Sequence, residues 1–256
     1  MNIANPEQWL DLLEAGCAQV ASTHLDLLID QANCQAPLLA GIQQFEPAMP
    51  WRMLFDALPE SGAAHLGPLL VRIDLHQPLQ RLWLEELIHE LGDQSRLLAL
   101  VSRWPFERLG TYLSQCLEVL NGGRGGVLRY YDPRLFPLLF SHVLDPDQQR
   151  QLLCPAVFWS WLDLDGQPRH QTGTAAPAEG FYHFQTIELS DRQLDRLCCA
   201  SDTWVALSEL AAGLPTQWGA EQRFQACYAA MLEADEAGLM VDTQRQAFVL
   251  DRIHAG

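Results

Sequence analysis

The run Leu97-Leu98-Ala99-Leu100-Val101 is apolar at every position, which indicates a short strand buried on both faces of a sheet. Pro105 follows this run and opens a predicted helix. The apolar stripe of that helix comprises Phe106, Leu109, Leu113, Leu117 and Leu120. A buried strand that leads at once into an amphipathic helix is typical of layered α/β domains.

Other short apolar runs lie on both sides of this unit, and each is bounded by Pro, Gly or Asp. They predict strands at residues 25–29, 51–55, 69–73, 127–131, 157–162 and 181–187. One helix is predicted to begin at Pro6, after the capping residue Asn5, and another to cover residues 37–44. The segment 163–180 is rich in Gly, Pro, Thr and Ala, which predicts a loop.

The pattern changes after residue 190, where the signals are helical. Ser190-Asp191-Arg192-Gln193 is a capping box, whose two end side chains accept hydrogen bonds from each other's backbone N–H groups. Three predicted helices follow it. We therefore predict an α/β fold with a layered N-terminal lobe and a mixed sheet at residues 1–189, and a smaller all-helical C-terminal lobe at residues 190–256.

The charge composition excludes several classes of protein. The chain has 32 acidic residues and 16 arginines, and it contains no lysine. Without lysine it cannot form a Schiff base with pyridoxal phosphate, and it has neither a P-loop lysine nor a kinase-type strand lysine. The formal net charge of −16 opposes binding to nucleic acid and to anionic membranes, so a protein or a neutral partner fits better than a polyanion.

The termini and the cysteines predict a cytoplasmic protein. Residues 1–13 show neither the basic nor the apolar region of a signal peptide, and no apolar run is long enough to predict a membrane span. The seven cysteines form no CxxC pair, and several lie at apolar helical positions. Buried free thiols of this kind are typical of a reducing compartment.

Motifs for cofactors and metals are not found in the sequence. The glycine-rich stretch 122–126 precedes a predicted strand instead of following one, which favours a tight turn from helix to strand over a phosphate-binding loop. The eight histidines are dispersed without metal-ligand spacing, and no GxSxG nucleophile motif is present. We therefore expect no metal and no cofactor.

The densest group of polar and aromatic residues is Leu128-Arg129-Tyr130-Tyr131-Asp132-Pro133-Arg134. In a strand, Arg129 and Tyr131 share one side and Tyr130 faces the other. Asp132 is then placed to cap the helix that follows. Two interpretations remain open: either Arg129 or Arg134 forks onto a buried carboxylate and fastens strand to helix, or the group binds a ligand at the end of a strand.

The segment 127–136, with its Arg-aromatic-Tyr-Asp-Pro-Arg core, resembles the signature of the type VI secretion effector adaptors, also called Tap or Tec chaperones. The likeness extends over roughly residues 20–255 and follows the order of the family. At Asp30-Gln31-Ala32 it departs from the family, which often has Asp-Gly after the opening strand. The other segments that resemble the family are 25–30, 54–56, 67–71, 96–120 and 233–239.

This resemblance implies a non-enzymatic adaptor that acts in the cytoplasm. Members of the family hold a toxic effector and load it onto the tail of the VgrG spike before secretion. The implied partners are therefore an effector and VgrG, with no cofactor, nucleic acid or membrane. The residues of the matching signature are Arg129, Tyr130, Tyr131, Asp132 and Arg134.

Two further expectations concern the site. Trp159 and Trp161 share one face of the strand predicted at 157–162, and we predict that they form an aromatic patch outside the core. The alternative function is a small-molecule enzyme with its site at the strand ends near Tyr131 and Asp132. The sequence identifies no base, nucleophile or cofactor for such an enzyme.

Overall fold

The computed structural model describes residues 6–32, 38–180 and 184–255. Some of the residues to which the sequence analysis assigns a role lie outside these ranges. They are the capping residue Asn5, the first residue of the helix predicted at 37–44, and residues 181–183 of the last predicted strand.

The chain divides into two compact units. The first consists of Met1–Phe140 with Leu144–Glu188, and the second of Ser141–Val143 with Leu189–Gly256. The predicted fold class is confirmed, since the first unit combines sheets with helices and the second is helical over its described residues.

Strands and helices are interspersed along the first unit. Its strands are β1 (His24–Asp30), β2 (Trp51–Met53), β3 (Pro68–Asp74), β4 (Leu97–Ser102), β5 (Glu118–Asn121), β6 (Arg124–Val127), β7 (Ala156–Leu162), β8 (Pro168–Thr172) and β9 (Ile187–Glu188). Its helices are α1 (Pro6–Gln19), α2 (Leu38–Ile42), α3 (Pro78–Leu91), α4 (Phe106–Gln115), α5 (Phe136–Leu138) and α6 (Pro146–Leu153).

Six strands form the larger sheet in the order β2-β3-β1-β4-β7-β8, and each neighbouring pair is antiparallel. The mixed pairing that the sequence predicts occurs in the smaller sheet, which has the order β6-β5-β9. There β5 pairs antiparallel with β6 and parallel with β9. The two outer strands of the larger sheet are therefore β2 and β8.

The core of the first unit lies between the larger sheet and the helices α1 and α3. All six residues of β4 are buried, as the run at 97–101 predicts. Alternate residues of this strand, Leu97, Ala99 and Val101, pack in the same apolar cluster as Trp9 of α1 and Leu84 of α3. Burying a large apolar side chain such as Leu97 or Leu84 contributes about 1.5–3 kcal/mol, and this drives the helices onto the sheet.

The glycine-rich stretch 122–126 belongs to a β-hairpin, so the predicted turn from helix to strand is wrong. The helix α4 ends at Gln115, and β5 and β6 pair across Gly122 and Gly123. Both glycines have positive φ angles, 54° and 79°, as the tight turns of two-residue hairpins require. The strand predicted at 127–131 lies instead at Arg124–Val127, and it includes the remaining glycines, Gly125 and Gly126.

The segment 163–180 contains β8, so its prediction as a loop is only partly correct. Asp163 shapes the turn from β7 to β8, since its Oδ1 accepts hydrogen bonds from the backbone N–H groups of Asp165 and Gln167 at 3.0 and 2.8 Å. Its Oδ2 accepts one from Arg169 Nε at 2.8 Å. No residue of β8 is buried, which explains why no apolar run marks this strand.

The second unit contains α7 (Asp191–Leu210), α8 (Ala220–Glu236) and α9 (Asp242–Ala255). The predicted capping box is present: Ser190 Oγ accepts from the backbone N–H of Gln193, and the Gln193 side chain accepts from the backbone N–H of Ser190. Trp204 of α7 stacks on Phe224 of α8 with ring centroids 4.6 Å apart. This aromatic pair stabilises the packing of the two helices.

His142 makes the stability of the second unit depend on pH. Burial and the nearby Arg196 guanidinium lower the pKa of His142 below its usual 6.5, and its ring lies edge-on to Tyr228 at 5.2 Å. A histidine with a lowered pKa binds fewer protons in the folded chain than in the unfolded chain. The free energy of unfolding therefore falls as the pH drops below about 6.5.

We expect hydrogen exchange in α7 and α8 to accelerate between neutral and mildly acidic pH, after correction for the intrinsic exchange rates. The acceleration should be smaller in His142→Gln, which keeps a polar side chain but does not titrate. An equal acceleration in both proteins would contradict this role of His142.

Candidate functional site

The carboxylate of Asp132 lies at the centre of the candidate site. The residue is 2 % exposed, and Arg134 forks onto it: Nε donates to Oδ1 at 2.9 Å and Nη2 donates to Oδ2 at 2.7 Å. The backbone N–H of Arg134 also donates to Oδ1, at 3.0 Å. The predicted fork onto a buried carboxylate is therefore present, but it joins two residues of one turn and does not fasten a strand to a helix, because the helix predicted to follow Asp132 begins only at Phe136.

Arg129 holds a second carboxylate in the same cluster. Its Nη2 donates to Asp30 Oδ2 at 3.0 Å and lies 3.5 Å from Asp132 Oδ2. The Arg129 guanidinium also lies 5.6 Å from the ring centre of Tyr131, within the range of a cation–π interaction. Residues 128–131 form a loop rather than the predicted strand, yet Arg129 and Tyr131 contact each other.

The cluster joins segments that are distant in the sequence. Asp30 is the last residue of β1, and Arg96 directly precedes β4. Arg96 Nη1 donates to the backbone oxygen of Asp30 at 3.1 Å and to that of Ala32. Two carboxylates and three guanidiniums therefore bind the ends of β1 and β4 to the loop after β6. We name this set the arginine–carboxylate cluster; its members are Asp30, Arg96, Arg129, Asp132 and Arg134.

The two tyrosines of the signature anchor the loop in the core. Tyr130 is fully buried, and its hydroxyl donates to the backbone oxygen of Leu113 at 2.8 Å. Tyr131 is 3 % exposed. Burial raises the pKa of both phenols, and for Tyr131 it outweighs the lowering effect of Arg129. Both tyrosines therefore keep their protons at neutral pH.

Trp159 and Trp161 share one face of β7, but the prediction that they form a patch outside the core is wrong. Trp159 is fully buried and Trp161 is 6 % exposed. Phe136 of α5 packs against both, with ring centroids at 5.1 and 5.3 Å. The short helix after the signature therefore makes these tryptophans part of the core.

A groove beside α4 and α6 is a feature that the sequence analysis missed. Two adjoining cavities of about 400 and 410 Å³ share Tyr112 and Phe184 as lining residues. The ring of Tyr112 meets Phe184 edge-on at 5.3 Å and Trp104 at 5.1 Å. The charged lining residues are Glu107, Arg108, Asp147 and Arg150. Aromatic rings surrounded by polar groups are typical of protein-binding surfaces.

The groups near this groove are poorly suited to nucleophilic chemistry. Burial raises the pKa of the Cys154 thiol to about 11, and it raises the pKa of Cys116 well above its usual value. The thiolate is the reactive form of cysteine, so these thiols are unreactive at neutral pH.

Within the described ranges, no set of three His, Cys, Asp or Glu side chains is placed to hold a metal. No helix there is both long and apolar enough to cross a bilayer.

A comparison with protein families supports the predicted resemblance in part. The profile of a family described as "Domain of unknown function (DUF4123)" matches residues 27–151, just under half of the chain. That family is associated with type VI secretion effector adaptors. The matched region is therefore similar to an adaptor domain, and it contains the complete arginine–carboxylate cluster. Neither the curated proteins nor the solved structures gave a significant match.

Proposed function

We propose that this protein is a non-enzymatic adaptor that binds a type VI secretion effector in the cytoplasm and loads it onto the tail of the VgrG spike. The observation that carries the proposal is that the family match at 27–151 includes every member of the arginine–carboxylate cluster. The part of the chain that is similar to effector adaptors is thus also the part in which this cluster joins the strand ends.

The chemistry of the cluster favours a binding protein over an enzyme. Asp132 is buried and already accepts three hydrogen bonds from Arg134, so it is poorly placed to act as a base. The neighbouring Tyr131 is buried and protonated. A substrate near Tyr131 and Asp132 would have to displace these contacts, which weighs against the enzyme alternative.

The cluster supports binding by fixing its arginines in place. The side chains of Arg129 and Arg134 are 44 and 38 % exposed, while their partners Asp30 and Asp132 are 9 and 3 % exposed. A guanidinium that is held by a buried carboxylate loses little conformational entropy when a partner covers its exposed side. Arg129 and Arg134 are therefore our first choice of effector- or spike-contacting residues.

Co-purification tests the proposal. The chain, carrying an affinity tag, is co-expressed with the effector and spike genes from its own neighbourhood, and we expect it to retain both proteins. When Arg129 or Arg134 is replaced with alanine in this experiment, Arg192→Ala is a suitable control, because Arg192 forms an exposed ion pair with Glu236 in the second unit. If the folded chain retains neither protein, the adaptor function is wrong.

A further inference from the structure

The outer edge of β8 is an exposed row of backbone hydrogen-bonding groups. The register shows which groups point outward: Asp163 N–H donates to Gln167 C=O, and Gly173 N–H donates to Val157 C=O, both at 2.9 Å. Facing residues in an antiparallel pair of strands alternate between hydrogen-bonded and non-hydrogen-bonded. Between the bonded pairs 163–167 and 157–173, the other bonded pairs are therefore Trp161 with Arg169 and Trp159 with Gln171. The backbone groups of the alternate residues, Pro168, His170 and Thr172, therefore point away from β7.

Four of these outward groups have no hydrogen-bond partner among the described residues. They are the N–H and C=O of His170, the N–H of Thr172 and the C=O of Pro168. The other two outward positions are not available to a partner. Pro168 has no N–H, and Thr172 C=O already accepts a hydrogen bond from Gln171 Nε2 at 3.3 Å. Both His170 and Thr172 are exposed.

We propose that β8 pairs antiparallel with β8 of a second copy of this chain, about a two-fold axis at His170. In this register each His170 N–H donates to His170 C=O of the other copy. Each Thr172 N–H donates to Pro168 C=O of the other copy. Pro168, which has no N–H to donate, then faces the Thr172 C=O of the other copy, which already accepts a hydrogen bond from Gln171 of its own chain. The edge is therefore complementary to itself. A two-fold contact of this type closes after two chains.

The charges of the edge permit this contact although each chain carries −16. The strand contains no carboxylate, and its single arginine, Arg169, is neutralised within its own chain by Asp163 at 2.7 Å. In the proposed register Arg169 faces Gln171 of the other copy. Charges elsewhere on the two chains are screened over about 8 Å at physiological salt. We therefore expect added salt to strengthen the dimer, because screening weakens the repulsion between two acidic chains.

An extended segment of another protein is a poorer fit to this edge. In an antiparallel register it would place a carbonyl group opposite Pro168, which has no donor, and an N–H group opposite Thr172 C=O, which is already engaged. A second copy avoids both mismatches. The occupant that the edge favours is thus the chain itself, and this inference does not depend on the proposed adaptor function.

His170→Pro tests the pairing, because it removes an outward N–H and leaves every bond to β7 intact. His170→Ala is the matched control, since it changes the side chain and keeps the N–H. Sedimentation equilibrium should be run at about pH 8, above the range in which histidines ordinarily titrate. We expect a wild-type dimer whose dissociation constant rises at least about tenfold in His170→Pro, through the loss of two hydrogen bonds per dimer. In His170→Ala it should change by less than about threefold.

Three outcomes would overturn the proposal. The wild type could be monomeric at all concentrations, or His170→Pro could dimerise as tightly as the wild type. The amides of His170 and Thr172 could also become protected from exchange only when another protein is added. Should His170→Pro not fold, Thr172→Pro removes the other outward N–H and gives the same test. The thermal unfolding of each variant shows whether it is folded.

Discussion

Replacing Arg134 with alanine is expected to lower the free energy of unfolding of the first unit by about 2–3 kcal/mol. The substitution leaves the buried Asp132 carboxylate with Arg129, 3.5 Å away, as its remaining ion-pair partner among the described residues. A carboxylate that stays buried after losing its main partner is strongly destabilising. The expected loss is smaller than the about 3–5 kcal/mol that removing one partner of a fully buried ion pair costs. The reason is that Arg134 is itself 38 % exposed and water can partly replace it.

Urea unfolding measures this loss of free energy. In thermal unfolding we expect the melting temperature to fall by about 5–10 °C. Arg192→Ala removes an arginine from an exposed ion pair and should change stability by less than about 1 kcal/mol. Combining Arg134→Ala with Asp132→Asn should restore part of the stability, because the stranded charge is removed as well. Unchanged stability together with lost effector binding would show that Arg134 serves only as a contact residue and does not support the fold.

The strands that the sequence predicts well are those buried on one or both faces. The strands β1, β3, β4 and β7 lie within one or two residues of the apolar runs that predict them, because burial and hydropathy coincide there. The strand β8 could not be predicted this way, since its residues are exposed or half-exposed. The spacing of Leu117 and Leu120 fits the apolar stripe of a helix, so the sequence pattern extends the predicted helix too far. The chain forms a hairpin there instead, with a turn made possible by the positive φ angles of Gly122 and Gly123.

The site was predictable to the extent that its contacts are local. Arg134 and Asp132 are two residues apart, so the sequence alone suggests their ion pair. Arg96 and Asp30 join the same cluster from remote segments, and only the pairing of β1 with β4 brings them together. The tryptophans show the same limit: the strand period places Trp159 and Trp161 on one face, but their exposure depends on where Phe136 packs.

A single methyl group at Gly173 is expected to destabilise the first unit by about 3 kcal/mol. A Cβ at this position would lie 1.9 Å from the backbone oxygen of Ala156 and 2.6 Å from its carbonyl carbon. Backbone atoms cannot turn aside as a flexible side chain can, so the chain after β8 would have to move away from β7. This movement would strain the hydrogen bonds that residues 174–176 donate to the backbone oxygens of Leu153, Ala156 and Cys154.

Gly41→Ala is the matched control, because it adds the same methyl group where no atom lies within 4 Å. Gly41 lies in α2, and alanine is favoured over glycine in helices by up to about 1 kcal/mol, so we expect an unchanged or slightly more stable protein. Urea midpoints for both variants separate the two effects of a glycine substitution. At Gly41 the added methyl restricts the unfolded chain, whereas at Gly173 it collides with the folded backbone. If Gly173→Ala unfolds at the wild-type midpoint, the end of β8 does not approach β7 this closely in solution.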